Sequence, residues 1–119
     1  MHLEKLCLIA HGHMQEVPLT VEPTVDDLGL EQAIDRYLDE QLISLNTVRA
    51  YVAVYWWQSV RGTPATLPSL VRILVNAQVT TFEARCTLTR IENLRNIRVR
   101  GEGDHRTFTL TNGPPLRAG

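Results

Sequence analysis

The chain has 119 residues, of which 44% are hydrophobic and 21% are charged, and its formal net charge is −1. That length suffices for one domain with its own core, and no apolar run approaches the ~18 residues of a membrane-spanning helix. The start lacks the cationic head and cleavage site of a secretory signal, and the two cysteines, Cys7 and Cys86, lie far apart. We therefore expect a cytoplasmic protein with free thiols rather than a disulfide-rich secreted one.

Charge is distributed unevenly along the chain. Residues 1–60 carry three basic against nine acidic side chains, a net of −6, whereas residues 61–119 carry nine arginines against four acidic side chains, a net of +5. A basic half suggests a polyanionic partner, and arginine can bind a phosphate or a guanine edge through two hydrogen bonds. The alternative is a solvated surface that the acidic half balances.

Residues 1–46 read as an acidic N-terminal extension. Residues 3–10 fit a strand or a short helix, and residues 17–29 suggest an exposed connector. One apolar stripe then predicts an amphipathic helix that serves as a dimerisation element, and Asn46 or Thr47 is expected to end it. The stripe contains Leu30, Ile34, Leu38, Leu42 and Leu45.

Residues 48–60 are apolar on almost every side, which predicts a helix buried among other elements. Residues 61–64 contain glycine and proline and are expected to stop it. The adjacent Trp56 and Trp57 suggest core packing together with a subunit contact, and we assign Trp56 to the dimer interface.

Residues 66–75 predict a second helix, residues 76–78 a short break, and Thr80 with Glu83 the capped start of a third helix that runs to about Leu94. Within that third helix one stripe should face the core. This stripe is formed by Ala84, Leu88, Ile91 and Leu94.

Residues 97–101 and 106–111 alternate like two strands around a turn at 101–105. Strand alternation puts Arg98 and Arg100 on one face and Ile97 and Val99 on the other. Residues 114–119 are expected to be a disordered tail.

Helix, tight turn, helix and basic hairpin are the layout of a winged helix-turn-helix, here expected over residues 47–113, and the fold class is mainly α with a small β-hairpin (α+β). In such a unit the last helix enters the major groove of DNA. Phe82 is expected to touch a thymine methyl or to pack against the first helix or a partner chain. The predicted DNA contacts are Thr80, Thr81, Arg85, Thr89 and Arg90 on the reading helix and Arg98, Arg100, His105 and Arg106 on the wing.

Residues 66–113 resemble the winged helix-turn-helix of bacterial transcription regulators of the MarR type. The resemblance is carried by residues 91–98 at the end of the reading helix, by the Asp-x-Arg of residues 104–106, and by the Leu-Thr-x-x-Gly of residues 110–113. It implies a homodimeric regulator of transcription. The glycine usual between helix and wing is replaced by Arg95 or Asn96, and the first 45 residues have no counterpart, so no effector pocket is inferred.

Metal and enzyme motifs are weak. His11 and His13 suggest a metal site, but two histidines without a third ligand at a recognisable spacing are more typical of a surface turn. The sequence contains no nucleophile elbow, P-loop or dinucleotide-binding motif, so we expect no enzyme activity, no metal and no cofactor.

We therefore expect a sequence-specific regulator that binds double-stranded DNA, acting as a homodimeric repressor and not at a membrane. Two alternatives stay open. One is a DNA-binding accessory or replication or recombination factor of a phage or mobile element, since residues 33–51 resemble the helical core-binding domain of tyrosine recombinases. The other is a winged-helix module that binds an acidic protein.

Overall fold

A computed structural model describes residue 24 and residues 45–94, 97–111, 113 and 115–117. Within these residues the chain forms three α-helices and a small three-stranded antiparallel sheet, which agrees with the expected α+β class. The predicted stripe of Leu30, Ile34, Leu38 and Leu42 lies outside the described residues, as do His11 and His13. The elements are α1 (Leu45–Trp56), β1 (Ala65–Thr66), α2 (Leu67–Asn76), α3 (Thr81–Ile91), β2 (Ile97–Arg100) and β3 (Thr107–Leu110).

Helix α1 is apolar on nearly every side, and the fold buries it accordingly. Residues 52–54 are consecutive and completely buried, which requires other elements around the helix. The helix already includes Asn46 and Thr47, so the break expected there is wrong. Asn46 instead accepts a hydrogen bond from Arg49 Nη1 at 3.1 Å, one turn further along.

The end of α1 widens into a π-helical turn, Trp57–Arg61, which the sequence pattern does not predict. The turn closes at Gly62, whose N–H donates to the carbonyl of Trp57 and whose φ of 69° lies in the left-handed region that favours glycine. The helix stop predicted at residues 61–64 is therefore confirmed.

Two hydroxyl caps and one left-handed residue set the path from α2 to α3. Thr66 Oγ1 accepts a hydrogen bond from the amide of Ser69 at 3.3 Å, and Thr80 Oγ1 accepts one from the amide of Glu83 at 3.1 Å. Gln78, with a φ of 67°, turns the chain between the two helices. Since each cap satisfies an amide that a helix start leaves unpaired, the predicted starts of α2 and α3 are confirmed.

Helix α3 ends earlier than the apolar pattern predicts. Its last helical residue is Ile91 rather than a residue near Leu94. The amides of Asn93 and Leu94 donate to the carbonyls of Arg90 and Ile91 at 3.1 and 3.0 Å. Bonds that span three residues form tight turns rather than an α-helix, and this turn leads the chain towards β2.

The predicted hairpin is confirmed as β2 and β3, and a short strand joins it. The sheet order is β1-β3-β2, and both pairings are antiparallel. Phe108 of β3 lies between Ala65 of β1 and Val99 of β2, and its ring is completely buried. Strand β1 is not predicted from the sequence, because two residues cannot show an alternating pattern.

Beyond the end of β1, the side-chain amide of Gln58 takes the place of a neighbouring strand. Its Nε2 donates to the carbonyl of Leu110 at 3.1 Å, and its Oε1 accepts from the amide of Leu110 at 2.8 Å. Gln58 is only 4% exposed, so these bonds satisfy backbone groups that water cannot reach. The end of α1 is thereby attached to the hairpin.

The core lies where the three helices meet the inner face of the sheet. Both strands of the hairpin contribute to it, through Ile97 of β2 and Leu110 of β3, which are 7% and 5% exposed. The largest completely buried side chains are those of Tyr51, Trp56, Leu67, Leu70, Ile73, Leu74, Leu88 and Phe108.

Residues 115–117 return to the end of α1. The amide of Arg117 donates to the carbonyl of Gly62 at 2.8 Å, and the Arg117 side chain occupies the space that a Cβ at Gly62 would need.

Candidate nucleic-acid interface

Helix α3 directs one apolar stripe into the core. Ala84, Leu88 and Ile91 are at most 1% exposed, which confirms the predicted register of the helix. Thr87 is also buried, and its hydroxyl donates to the carbonyl of Glu83 at 2.9 Å. The opposite side of α3 is left to face solvent.

The five residues predicted for the reading helix are all exposed. The Thr80 hydroxyl oxygen caps α3, so it already accepts a hydrogen bond within the chain. Thr81, Arg85, Thr89 and Arg90 belong to the helix, and the Thr89 hydroxyl donates to the carbonyl of Arg85 at 3.1 Å. Arg85 and Arg90 are five residues apart, which is a rotation of about 140°, so the two guanidinium groups flank the outward face on opposite sides.

Three further residues follow the middle of that outward face. Phe82 and Cys86 align with Thr89, because spacings of four and three residues keep side chains on one side of a helix, and Asn93 follows in the turn after Ile91. Phe82 is 76% exposed, Cys86 is a half-buried free thiol, and Asn93 is exposed with its Nδ2 donating to the carbonyl of Thr89 at 3.4 Å. Cys86 and Asn93 are not among the predicted contacts, although this spacing is the signal that identifies them.

Arg85 connects α3 to the turn of the hairpin. Its Nη1 lies 3.3 Å from Oδ1 of Asp104, and the two side chains are 53% and 70% exposed. An ion pair this exposed is worth at most about 1 kcal/mol, so a phosphate can compete with Asp104 for the guanidinium. The pair borders an open groove of ≈ 290 Å³, which is lined by Leu67, Pro68, Val71, Arg72, Arg85 and Asp104.

A second open groove, of ≈ 310 Å³, lies on the other flank of α3 and faces the start of α1. The exposed ring of Phe82 and the guanidinium of Arg90 both border it. Its lining residues are Asn46, Phe82, Glu83, Cys86, Thr87 and Arg90.

Arg106 holds the hairpin against α3. Its Nη1 forms an ion pair with Oε1 of Glu92, and its Nε donates to the carbonyl of Gly103 at 2.8 Å. Asp104 lies only two residues before Arg106, but it pairs with Arg85 instead. Because its guanidinium is engaged within the chain and only 26% of the side chain is exposed, we reassign Arg106 from a DNA contact to a residue that positions the hairpin.

Arg98 and Arg100 occupy the solvent-facing side of the hairpin, as strand alternation predicts. They lie opposite Thr109 and Thr107 on β3, both arginines are exposed, and neither forms an ion pair with any described residue. His105, the remaining predicted wing residue, is exposed in the 3-10 turn Gly103–His105. Two unneutralised guanidinium groups thus share the outer face of the sheet.

Positive charge dominates the described part of the chain, which carries nine arginines and four acidic side chains, a net of +5. Glu92 and Asp104 are each paired with an arginine. Arg90, like the two wing arginines, has no ion pair among the described residues. A surface of this kind attracts polyanions and raises their local concentration.

Trp56 does not present a surface to a second subunit. Its indole is completely buried within one chain, with the Trp57 ring 4.7 Å away and the guanidinium of Arg61 5.0 Å from its centroid. The π-helical turn explains this grouping, because residues five apart, such as Trp56 and Arg61, then lie above one another. Its burial therefore assigns Trp56 to the core of the described residues.

Within residues 45–94 and the shorter described segments that follow, no helix has the length and apolarity needed to cross a membrane. The same residues contain no group of three His, Cys, Asp or Glu side chains close enough to hold a metal ion. Comparisons of the chain with protein-family models, curated proteins and solved structures find no match.

Proposed function

We propose that the chain is a sequence-specific DNA-binding protein built on a winged helix-turn-helix, with α3 as the reading helix and the β2–β3 hairpin as the wing. The order of the elements supports this proposal, since a helix and a short strand precede two helices joined by a tight turn, and a hairpin follows. In such units the second helix of the pair enters the major groove while neighbouring elements contact the phosphates.

The observation that carries the proposal is the outward face of α3. Thr89 on its middle line offers a hydroxyl and a methyl, and Asn93 in the turn that follows offers an amide. Arg85 and Arg90 offer guanidinium groups on the two flanks. These are the side-chain groups that contact base edges in the major groove, where arginine pairs with guanine and asparagine with adenine. The core uses only the opposite stripe of the helix, so the outward face is available to a ligand.

The hairpin supplies the second part of the proposed interface. Arg98 and Arg100 are exposed and unneutralised, while Arg106 is engaged with Glu92 and Gly103. Charges on the outer face of a hairpin suit phosphate contacts, which supply affinity and register but no direct sequence information. Arg98 and Arg100 are thus the wing residues assigned to the DNA backbone.

We further propose that the protein is a cytoplasmic transcriptional repressor that acts as a homodimer and without chemistry, by occupying an operator that polymerase needs. Dimers of helix-turn-helix proteins read two half-sites about one helical turn apart. The apolar stripe of the N-terminal extension, over residues 30–42, is the proposed contact between subunits. No small-molecule effector or cofactor forms part of the proposal.

The test is selection from a library of random double-stranded DNA with the full-length protein, followed by sequencing of the retained duplexes. An enriched palindrome supports a dimeric regulator. Tight but unselective binding supports an accessory factor of a phage or mobile element instead. Absence of binding at low salt contradicts both DNA-binding functions.

A second candidate function is a protein-interaction module, and the exposure of Phe82 favours it. A ring that is 76% exposed beside Arg85 and Arg90 could anchor an acidic partner protein, since aromatic residues and arginine are enriched at the centres of protein interfaces. The selection experiment separates the two candidates, because only the DNA-binding protein retains particular duplexes.

A further inference from the structure

We infer that Phe82 reads the C5-methyl group of a thymine in the major groove, so that the recognition site of this protein contains at least one thymine whose methyl contributes to affinity. The inference rests on the proposed DNA-binding function and deepens it, because it assigns a chemical group of the ligand to one side chain.

Phe82 has the largest exposed fraction among the exposed large hydrophobic side chains of the described residues. It is 76% exposed, compared with 45% for Leu116 and 39% for Val75. Phe108, by contrast, is completely buried. Single exposed apolar residues are common on protein surfaces. The position of Phe82 on α3 is what distinguishes it.

That position is the second residue of α3, directly after Thr81. The N-terminal residues of a reading helix are those that reach the base edges. Phe82 also begins the middle row of the outward face, one turn before Cys86. It does not pack into the core as the opposite stripe does, so the fold itself leaves this ring without a buried position.

The surroundings of the ring favour DNA over an apolar ligand. Arg85 lies on one flank of the helix and Arg90 on the other, and Arg90 borders the same groove as Phe82 together with Glu83. The described residues carry a net charge of +5, so an apolar ring on this surface fits a polyanion that carries an isolated apolar group. Among the base edges of the major groove, the thymine methyl is that apolar group, and the remaining positions are hydrogen-bond donors and acceptors.

Cys86 extends the apolar surface by one turn. Its thiol is half-buried and lines the groove together with the Phe82 ring. Free cysteine behaves as a small hydrophobic residue, so ring and thiol together form the apolar part of a groove that is otherwise lined by Asn46, Glu83, Thr87 and Arg90.

The test uses the duplex that the full-length protein enriches from the random library, with each thymine replaced in turn by deoxyuridine. This replacement removes the C5-methyl and leaves the base pairing intact. For the wild-type protein, at least one replacement should weaken binding roughly three- to fivefold, which is the value of burying one methyl-sized group. In Phe82→Ala that particular replacement should have no effect.

Val75→Ala is the matched control, because Val75 is an exposed apolar residue on α2 rather than α3, and this variant should keep the wild-type penalty. Phe82→Leu retains an apolar side chain and should show part of the wild-type loss of affinity when that thymine is replaced by uracil. Because Phe82 is exposed, the thermal unfolding midpoints of both Phe82 variants should stay near that of the wild type, so a change in binding is not a loss of folding.

Three outcomes overturn the inference while leaving the proposed function intact. In the first, no uracil replacement in the enriched site weakens binding by the wild-type protein. In the second, Phe82→Ala binds the uracil duplex as much more weakly than the thymine duplex as the wild type does. In the third, Phe82→Ala loses the same affinity for the thymine and the uracil duplexes. If no duplex is enriched at all, the proposed function fails and the inference fails with it.

Discussion

At the scale of single residues, the ion pair between Arg85 and Asp104 is the contact that bound DNA has to replace. Asp104→Asn removes the competing carboxylate and leaves Arg85 free to bind a phosphate or a base. We expect the affinity for DNA at low salt to rise by up to about fivefold, the most that an exposed pair is worth. Titration of a labelled duplex, followed by fluorescence anisotropy, measures this change.

Glu102→Gln is the control for that prediction. It removes a negative charge from the same hairpin turn, yet Glu102 forms no ion pair among the described residues. Any gain common to both variants reflects net charge alone. If the two variants gain equally, or if Asp104→Asn binds more weakly than the wild type, then Asp104 does not compete with DNA for Arg85.

Replacement of Gln58 should destabilise the fold, because its side chain makes two hydrogen bonds to the backbone of Leu110. Gln58→Leu keeps an apolar body but leaves the amide and the carbonyl of Leu110 without their partners in a buried setting. We expect the free energy of unfolding to fall by roughly 1–3 kcal/mol, as measured by urea denaturation monitored with tryptophan fluorescence. Ser59→Ala removes a hydroxyl that donates to the carbonyl of Tyr55, one turn earlier in the chain, and should change the free energy of unfolding little. If both variants lose the same free energy of unfolding, Gln58 does not have the strand-like role described above.

At the scale of elements, the hairpin should act on the DNA backbone. Arg98→Ala with Arg100→Ala should weaken binding to all sequences by similar factors. It should also flatten the slope of log affinity against log salt concentration by up to about 1.8 units, since each lost phosphate contact removes about 0.9.

The matched control for the hairpin replaces both arginines by lysine. Lysine keeps the charge at each position, so this variant should retain a slope close to that of the wild type. A double alanine variant that also keeps the wild-type slope would move the phosphate contacts away from the hairpin.

The elements that the sequence predicts are those with a local signal. The start of α3 follows from the hydroxyl of Thr80, its core stripe follows from helical spacing, and the hairpin follows from alternation around a glycine-containing turn. The sequence gives no local signal for structure that depends on contacts between distant segments. Strand β1 is too short to alternate, and Gln58 pairs with Leu110 across 52 residues.

The candidate site shows the same limit. Exposure of Arg85, Thr89 and Arg90 follows from the register of α3, which the apolar residues define. The ionic partners of the arginines cannot be predicted from the register of α3, because only the folded chain brings the acidic groups within reach of these long side chains. Arg106 thus pairs with Glu92 rather than with its neighbours. The π-helical turn Trp57–Arg61 likewise leaves no periodic pattern in the sequence.

At the scale of the whole molecule, we expect a dimer of two-fold symmetry formed through the leucine stripe of the N-terminal extension. Leu38→Glu places a charge in that stripe and should yield monomers at micromolar concentration, as measured by sedimentation equilibrium. Asp39→Ala changes the adjacent position, off the stripe, and should remain a dimer. A wild-type protein that sediments as a monomer both with and without DNA would contradict the proposed assembly.

The complete base-preference profile of Arg85→Ala, compared with that of the wild type, tests the proposal that α3 reads bases. We predict that one base position loses its preference and that affinity for the selected site falls by about 1–3 kcal/mol. Arg117→Ala, which removes the same charge from the segment that packs on Gly62, should leave the profile unchanged. A profile for Arg85→Ala that matches the wild type at every position, with unchanged affinity, would contradict the claim.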